Sequence, residues 1–101
     1  MSELYEVLKN VRECPKLYLG RKSLELLNAF ISGYIVCQNK LSKSSADYLS
    51  GFQEFIEKKY GLETTHSWSS LIRFFASNDE EAFDEFYILL DKYLQMKNVS
   101  T

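Results

Sequence analysis

Apolar residues return every three or four positions along most of this chain, the spacing that lays one stripe along one side of an α-helix. Over residues 2–12 the stripe is Leu4, Val7, Leu8 and Val11. Ser2 stands where a hydroxyl accepts from first-turn amides, and Pro15 ends the segment because the residue before a proline disfavours helical backbone. A second helix is predicted over 23–39, capped by Ser23. Its Leu24, Leu26, Leu27, Ala29, Phe30, Ile31, Tyr34, Ile35, Val36 and Cys37 cover most of the circumference, which predicts the central, buried helix. Gly33 costs about 1 kcal/mol inside a helix relative to alanine, so close approach of a neighbouring helix is expected there.

A third helix is predicted over 48–60, its start falling between Ala46 and Ser50. Phe52, Phe55, Ile56 and Tyr60 share one face, Gln53, Glu54, Glu57 and Lys58 the other, and Gly61 sits where a left-handed residue closes a helix. The fourth, over 66–77, opens at Thr64 or Thr65 and repeats the spacing with Trp68, Leu71, Ile72 and Phe75. The sharpest boundary is Asn78-Asp79-Glu80-Glu81: Asn78 is an N-cap, Glu81 stands at the third helical position, and three carboxylates complement the positive end of the helix dipole. The fifth helix follows over 79–96, with Ala82, Phe83, Phe86, Leu89, Leu90, Tyr93 and Leu94 facing inward. Residues 14–20 read as an ordered loop whose Leu and Tyr side chains are buried, and residues 40–45 as a mobile polar linker. No segment alternates with a period of two. The expected fold is all-α, one domain over 1–101, a compact bundle of five helices around a central apolar one, packed around the second and the fifth. Leu27, Phe30, Tyr34, Phe52, Ile56, Trp68, Ile72, Phe83, Phe86 and Leu90 are the expected core.

Composition supports that picture. The 101 residues are 46% hydrophobic and 15% aromatic, enough bulky apolar surface for one core without disulfides or metals. Twelve basic residues against fourteen acidic ones, a net charge of −2, argue against direct nucleic-acid binding. No apolar run approaches the ~20 residues that span a bilayer, and the first ten residues carry three charged side chains and no apolar run, so neither a membrane segment nor a signal peptide is expected. Cytoplasmic location follows as the default, with Cys14 and Cys37 reduced and read as buried structural thiols.

Candidate chemistry is sparse. His66 is the single histidine, read as a capping or half-buried imidazole in preference to a catalytic one. The neighbouring Ser67 projects in a different direction from a helix start. Two isolated cysteines and one histidine do not make a tetrahedral metal site. The four glycines stand singly, so no phosphate-binding loop exists. Phe52, Phe55, Phe74, Phe75, Phe83 and Phe86 resemble a base-stacking platform only superficially, since their helical spacing predicts core packing. No enzymatic, metal or cofactor site is expected.

Charge is less even than its total. Residues 1–61 hold nine basic and seven acidic side chains, residues 62–101 three and seven. From Asp79 to Asp91 come six carboxylates and no cation. On a helical wheel Glu81, Asp84 and Asp91 project away from the core stripe, with apolar Ile88 among them. One reading is a solvated helix face whose first acids serve the dipole alone. The other is a docking surface, with Glu80, Glu81, Asp84 and Asp91 forming a rim around Ile88 and complementing a basic partner. Asp84 and Asp91 favour the second, being too far along the helix for the dipole to explain.

The series Pro15-Lys16-Leu17-Tyr18-Leu19-Gly20, Gly51-Phe52, Phe55-Ile56, Tyr60, Ser67-Trp68, Leu71-Ile72, Phe83-Asp84, Phe86 and Leu89-Leu90-Asp91 resembles a family of small bacterial helical proteins. That family is similar to the immunity proteins of contact-dependent inhibition systems. The resemblance spans roughly 15–94 and rests on core and turn positions. It implies a cytoplasmic, non-catalytic protein that binds a cognate toxin domain, a nuclease with a basic cleft, and covers the cleft with carboxylates. The alternative is an interaction or regulatory module that inhibits nothing.

Overall fold

The computed structural model describes residues 3–42, 50–61 and 67–99, and its described residues are helical with no strand. In chain order the helices are α1 (Glu3–Glu13), α2 (Pro15–Leu19), α3 (Leu24–Ser42), α4 (Ser50–Tyr60), α5 (Trp68–Phe75) and α6 (Asp79–Val99). The all-α reading holds, with one helix more than expected.

The additional helix is α2, where a loop was expected. Pro15 both ends α1 and starts α2, because its fixed φ suits a first helical position, where the missing N–H loses nothing. The Leu17 amide donates to the Cys14 carbonyl at 3.1 Å. At the other end Gly20, at φ 87°, takes the left-handed conformation and donates to the Lys16 carbonyl at 3.0 Å. The helix buries none of its side chains. Leu17 and Tyr18 are exposed, contrary to the burial expected of them, although Tyr18 meets Phe30 edge-on at 6.4 Å.

Of the two helices expected at the middle of the bundle, α6, the fifth, holds that place, whereas α3, expected to be buried all round, does so only in its first half. α6 presents Ala82, Phe83, Phe86, Tyr87, Leu89, Leu90 and Tyr93 to the core, and it packs against α3, α4 and α5. On α3 only Leu24, Leu27 and Ile31 are fully buried. Its far half turns Val36, Cys37 and Leu41 to solvent, and Phe30 and Tyr34 are half-buried. Cys14 is likewise exposed, so both thiols are free at the surface rather than buried. Nothing comes within 4 Å of where a Cβ on Gly33 would sit. The close approach expected there occurs at Gly51 instead, where an added Cβ would collide with the Tyr93 hydroxyl.

An aromatic cluster joins α4, α5 and α6. Phe52 meets Trp68, Phe86 and Tyr93 edge-on at 5.3, 5.7 and 5.5 Å, and Trp68 stacks on Phe86 at 5.0 Å. Such pairs add about 0.5–1.5 kcal/mol each beyond the area they bury. Beneath them α1 contributes Leu4, Leu8 and Val11, and the buried Tyr87 hydroxyl donates to the Leu8 carbonyl at 2.6 Å. Burial holds the Tyr87 phenol well above its ordinary pKa, with the nearby Arg12 opposing weakly.

The helix ends explain much of the rest. Asn78 Oδ1 accepts from the Glu81 amide at 2.8 Å, and Glu81 reaches back to the Ser77 amide at 3.3 Å, a capping exchange close to the one the sequence predicts. Gly61 is left-handed, at φ 69°, as expected. The cap of α5 is Ser67, whose hydroxyl accepts from the Ser70 amide, rather than Thr64 or Thr65. Those two threonines, His66, Ser2 and residues 43–45 lie outside the described residues; α3 continues through the first part of the expected linker, to Ser42. Ser23 caps α3 as predicted, accepting from the Leu26 amide at 3.1 Å. Asp79 supplies a second cap across the fold. It accepts from the Ser23 hydroxyl and from the Leu24 and Glu25 amides at 3.1 and 3.2 Å. The first residue of α6 thereby fixes the start of α3.

Candidate functional site

Ile88 sits at the middle of the outer face of α6, opposite the stripe of Phe83, Phe86, Leu90 and Tyr93, and is 44% exposed. Three- and four-residue spacing places Asp84, Glu85, Asp91 and the exposed cation Lys92 one turn away from it, with Glu81 two turns away on the same side. The five residues singled out from the sequence, Glu80, Glu81, Asp84, Ile88 and Asp91, are all exposed on α6.

What the sequence does not show is their company. Asp84 pairs with Lys22 at 2.8 Å and Asp91 with Arg12 at 2.9 Å. The run without a cation is thus answered by cations from other segments, 62 and 79 positions away in the chain. Aromatic rings hold both cations in place: Arg12 lies 5.1 Å from the centre of the Tyr87 ring and Lys22 5.9 Å from that of Phe83. These pairs are half-exposed, a setting in which an ion pair contributes about 0–1 kcal/mol. One shoulder of the α6 face is therefore neutralised at rest. Among the described residues no ion pair is seen for Glu80, Glu81 or Glu85.

Among the described residues three concavities border this face, one of them of about 250 Å³ beside Arg12 and Asp91. On the Asp84 side an open groove of about 900 Å³ runs between a basic wall (Lys16, Arg21, Lys22) and an acidic one (Asp79, Glu80, Glu81, Asp84). On the Glu85 side a smaller pocket of about 240 Å³ is lined by Lys59, Tyr60, Ile72, Phe75, Ala76, Glu81 and Glu85. Tyr60 and Phe75 stack there with centroids 4.4 Å apart and planes 5° from parallel, and Phe74 meets Phe75 edge-on at 5.0 Å. Burial, and then the Glu85 carboxylate, raise the Tyr60 phenol above its ordinary pKa.

Phe74 and Phe75 are 79% and 49% exposed, contrary to the core packing predicted for them. The reason is the length of α5. Its eight residues spend Trp68, Ser69, Leu71 and Ile72 on the core, and Phe74 and Phe75 are its last two residues, at the end that the core does not cover. In the sequence this patch is indistinguishable from the buried aromatics, because helical spacing carries no information about where a neighbouring helix ends.

Among the described residues no group of three or more His, Cys, Asp or Glu side chains is arranged to hold a metal ion, and no helix is long and apolar enough to cross a membrane. No protein-family model, curated protein or solved structure matches this chain.

Proposed function

We propose that this chain is an immunity protein, which binds a cognate toxin domain with a basic nuclease cleft and neutralises it by covering that cleft with the outer face of α6. The observation that carries the proposal is Ile88, an exposed apolar side chain whose helix neighbours are Glu81, Asp84, Glu85 and Asp91, four carboxylates against the single cation Lys92. An apolar anchor inside a charged rim is the usual anatomy of a protein-binding patch. The half-exposed pairs to Lys22 and Arg12 do not oppose it. Each contributes about 0–1 kcal/mol, so Asp84 and Asp91 exchange their intramolecular cations for those of a partner at small cost. Carboxylates in the cleft would stand where substrate phosphates bind and exclude nucleic acid sterically and by charge. The protein acts in the cytoplasm, where it meets the toxin after entry, and the mechanism needs no cofactor.

The test takes the toxin domain encoded by the adjacent reading frame and measures its nuclease activity and its association kinetics with this chain. Changing Asp84 and Asp91 together to Lys should slow association at least tenfold at low salt while leaving the helical circular-dichroism spectrum intact. Neutralising the opposing cations, Arg12→Gln with Lys22→Gln, should speed association by unmasking Asp84 and Asp91, an effect that weakens with salt because exposed charges are screened beyond about 8 Å at physiological ionic strength. Ile88→Ala should speed dissociation with little change in salt dependence. Unchanged association kinetics and affinity in the double Lys variant remove the α6 face from the interface, and absence of nuclease inhibition by wild-type protein removes the immunity reading.

A further inference from the structure

The pocket between the ends of α4 and α5 and the first turns of α6 combines features that together favour one kind of occupant. Its walls are aromatic faces and two carboxylates. Ring faces carry the negative side of the aromatic quadrupole, so Tyr60 and Phe75 favour a cation as Glu81 and Glu85 do. Tyr60 and Phe75 stack on one another through one face of each ring. The floor is apolar, formed by Ile72 and Ala76. The volume of about 240 Å³ lies below the ~300–1,000 Å³ of small-molecule sites, which suits the end of one side chain. Lys59 is the opposing charge on the lining; it is exposed, and the two carboxylates outnumber it. Glu81 already accepts from the Ser77 amide through Oε1, so Glu85 is the principal acceptor.

We infer that this pocket receives an arginine side chain of a protein partner, the guanidinium pairing with Glu85 and Glu81 and lying against Tyr60 or Phe75, while exposed Phe74 covers the partner's backbone beside it. Arginine fits better than lysine because a planar guanidinium both stacks on rings and forks to carboxylates. The inference rests on the proposed protein-binding role of α6 and extends its interface past Glu85 onto the aromatic patch.

The experiment needs no toxin. The isotopically labelled chain is titrated by NMR with acetyl-Gly-Arg-Gly-amide, with the same peptide carrying citrulline, which keeps the shape and loses the charge, and with adenosine monophosphate. The arginine peptide should give saturable shifts at Tyr60, Phe75 and Glu85. Binding should weaken at least fivefold for the citrulline peptide and at least fivefold in Glu85→Gln, an isosteric change at a half-exposed position. Phe74→Ala, at the most exposed of these aromatics, should leave the fold unchanged and weaken binding further. Equal binding of citrulline would mean an apolar patch without cation recognition. Stronger binding of the nucleotide would mean a base-stacking platform, and concentration-dependent shifts at these residues without peptide would mean that a second copy covers them. Each of these results, or the absence of a saturable shift, overturns the inference. The immunity reading stands or falls separately, on nuclease inhibition and on Ile88, Asp84 and Asp91.

Discussion

Removing the Asp79 carboxylate tests whether the start of α6 holds the start of α3. By position alone Asp79 is one of three first-turn acids, and truncating such a residue costs about 0.3–1 kcal/mol through the dipole. The structure assigns it more. It accepts from two otherwise free amides of α3, Leu24 at 3.1 Å and Glu25 at 3.2 Å, and from the hydroxyl of fully buried Ser23. Losing an N-cap acceptor costs about 0.5–2 kcal/mol, and leaving a buried donor such as the Ser23 hydroxyl without a partner about 1–3 kcal/mol. These contributions overlap, since Ser23 still caps the Leu26 amide. Arg73 adds little, lying 3.7 Å from Asp79 on the exposed rim. The expected loss for Asp79→Ala is about 2–4 kcal/mol. Glu80→Ala, one residue along with no such partners among the described residues, should lose under about 1 kcal/mol. Asp79→Asn keeps an acceptor oxygen without the charge and should fall between them. Urea denaturation of the three variants, with m-values unchanged from wild type, reads the differences directly. If Asp79→Ala loses no more than Glu80→Ala, the contact between the two helix starts does not stabilise the fold, and Asp79 serves its own helix alone.

Two further tests probe packing and a buried phenol. Gly33→Ala should stabilise the protein by about 0.5–1 kcal/mol, since a helical glycine with open space around it gains from a methyl group. Gly51→Ala should instead cost about 1–3 kcal/mol by overpacking; the Tyr93 ring it meets is wedged against Phe52 and Phe55, so Tyr93→Phe should recover part of the loss. Equal effects at the two glycines in thermal unfolding would contradict the placement of α4 against α6. The raised pKa of Tyr87 predicts a pH dependence with a definite sign. A phenol harder to ionise in the folded state than in the unfolded one contributes full stability below about pH 10, and that contribution falls as pH rises beyond it. Tyr87→Phe should flatten the alkaline limb of the stability profile, and an unaltered limb would show that another group controls it.

The extent to which the sequence foretells this molecule follows a physical division. Helix existence was legible wherever a stripe persisted for two turns or more, and caps were legible where they depend on their own helix alone, through a side chain at Ser23 and Asn78 and through left-handed backbone at Gly61. Three features depend on which elements meet, and periodicity does not encode that. α3 looked central because it is apolar nearly all round, yet among the described residues Val36, Cys37 and Leu41 are exposed, with no helix packed over them. Gly33 and Gly51 are alike in the sequence, and only the path of α6 makes one of them tight. The acids of α6 looked uncompensated because Arg12 and Lys22 are remote in the chain. The one local signal passed over was Pro15. A proline followed four residues later by an isolated leucine and then a glycine fits a short helix, with the proline at its start and the glycine just past its end, as well as a loop.

In the proposed complex charge and apolar surface would act at different stages. Asp84 and Asp91 already have cations, so a basic partner exchanges one set of exposed pairs for another, and the net gain in affinity is small. Their field still acts at a distance on an approaching cleft, which favours encounter over retention. Retention requires burial, and exposed large apolar side chains lie on both sides of Glu85: Ile88 on α6, and Phe74 and Phe75 on α5. Binding energy concentrates in a few aromatic and arginine contacts at the centre of an interface, with the surrounding groups excluding water. Glu85 lies between the two patches, beside Tyr60 and one turn from Ile88. It shares the pocket beside Tyr60 with Glu81, but Glu81 already accepts from the Ser77 amide, so Glu85 is the carboxylate that would work at both stages most fully. Glu85→Gln should therefore slow association modestly and speed dissociation strongly. In the Asp84 and Asp91 variants that order should be reversed.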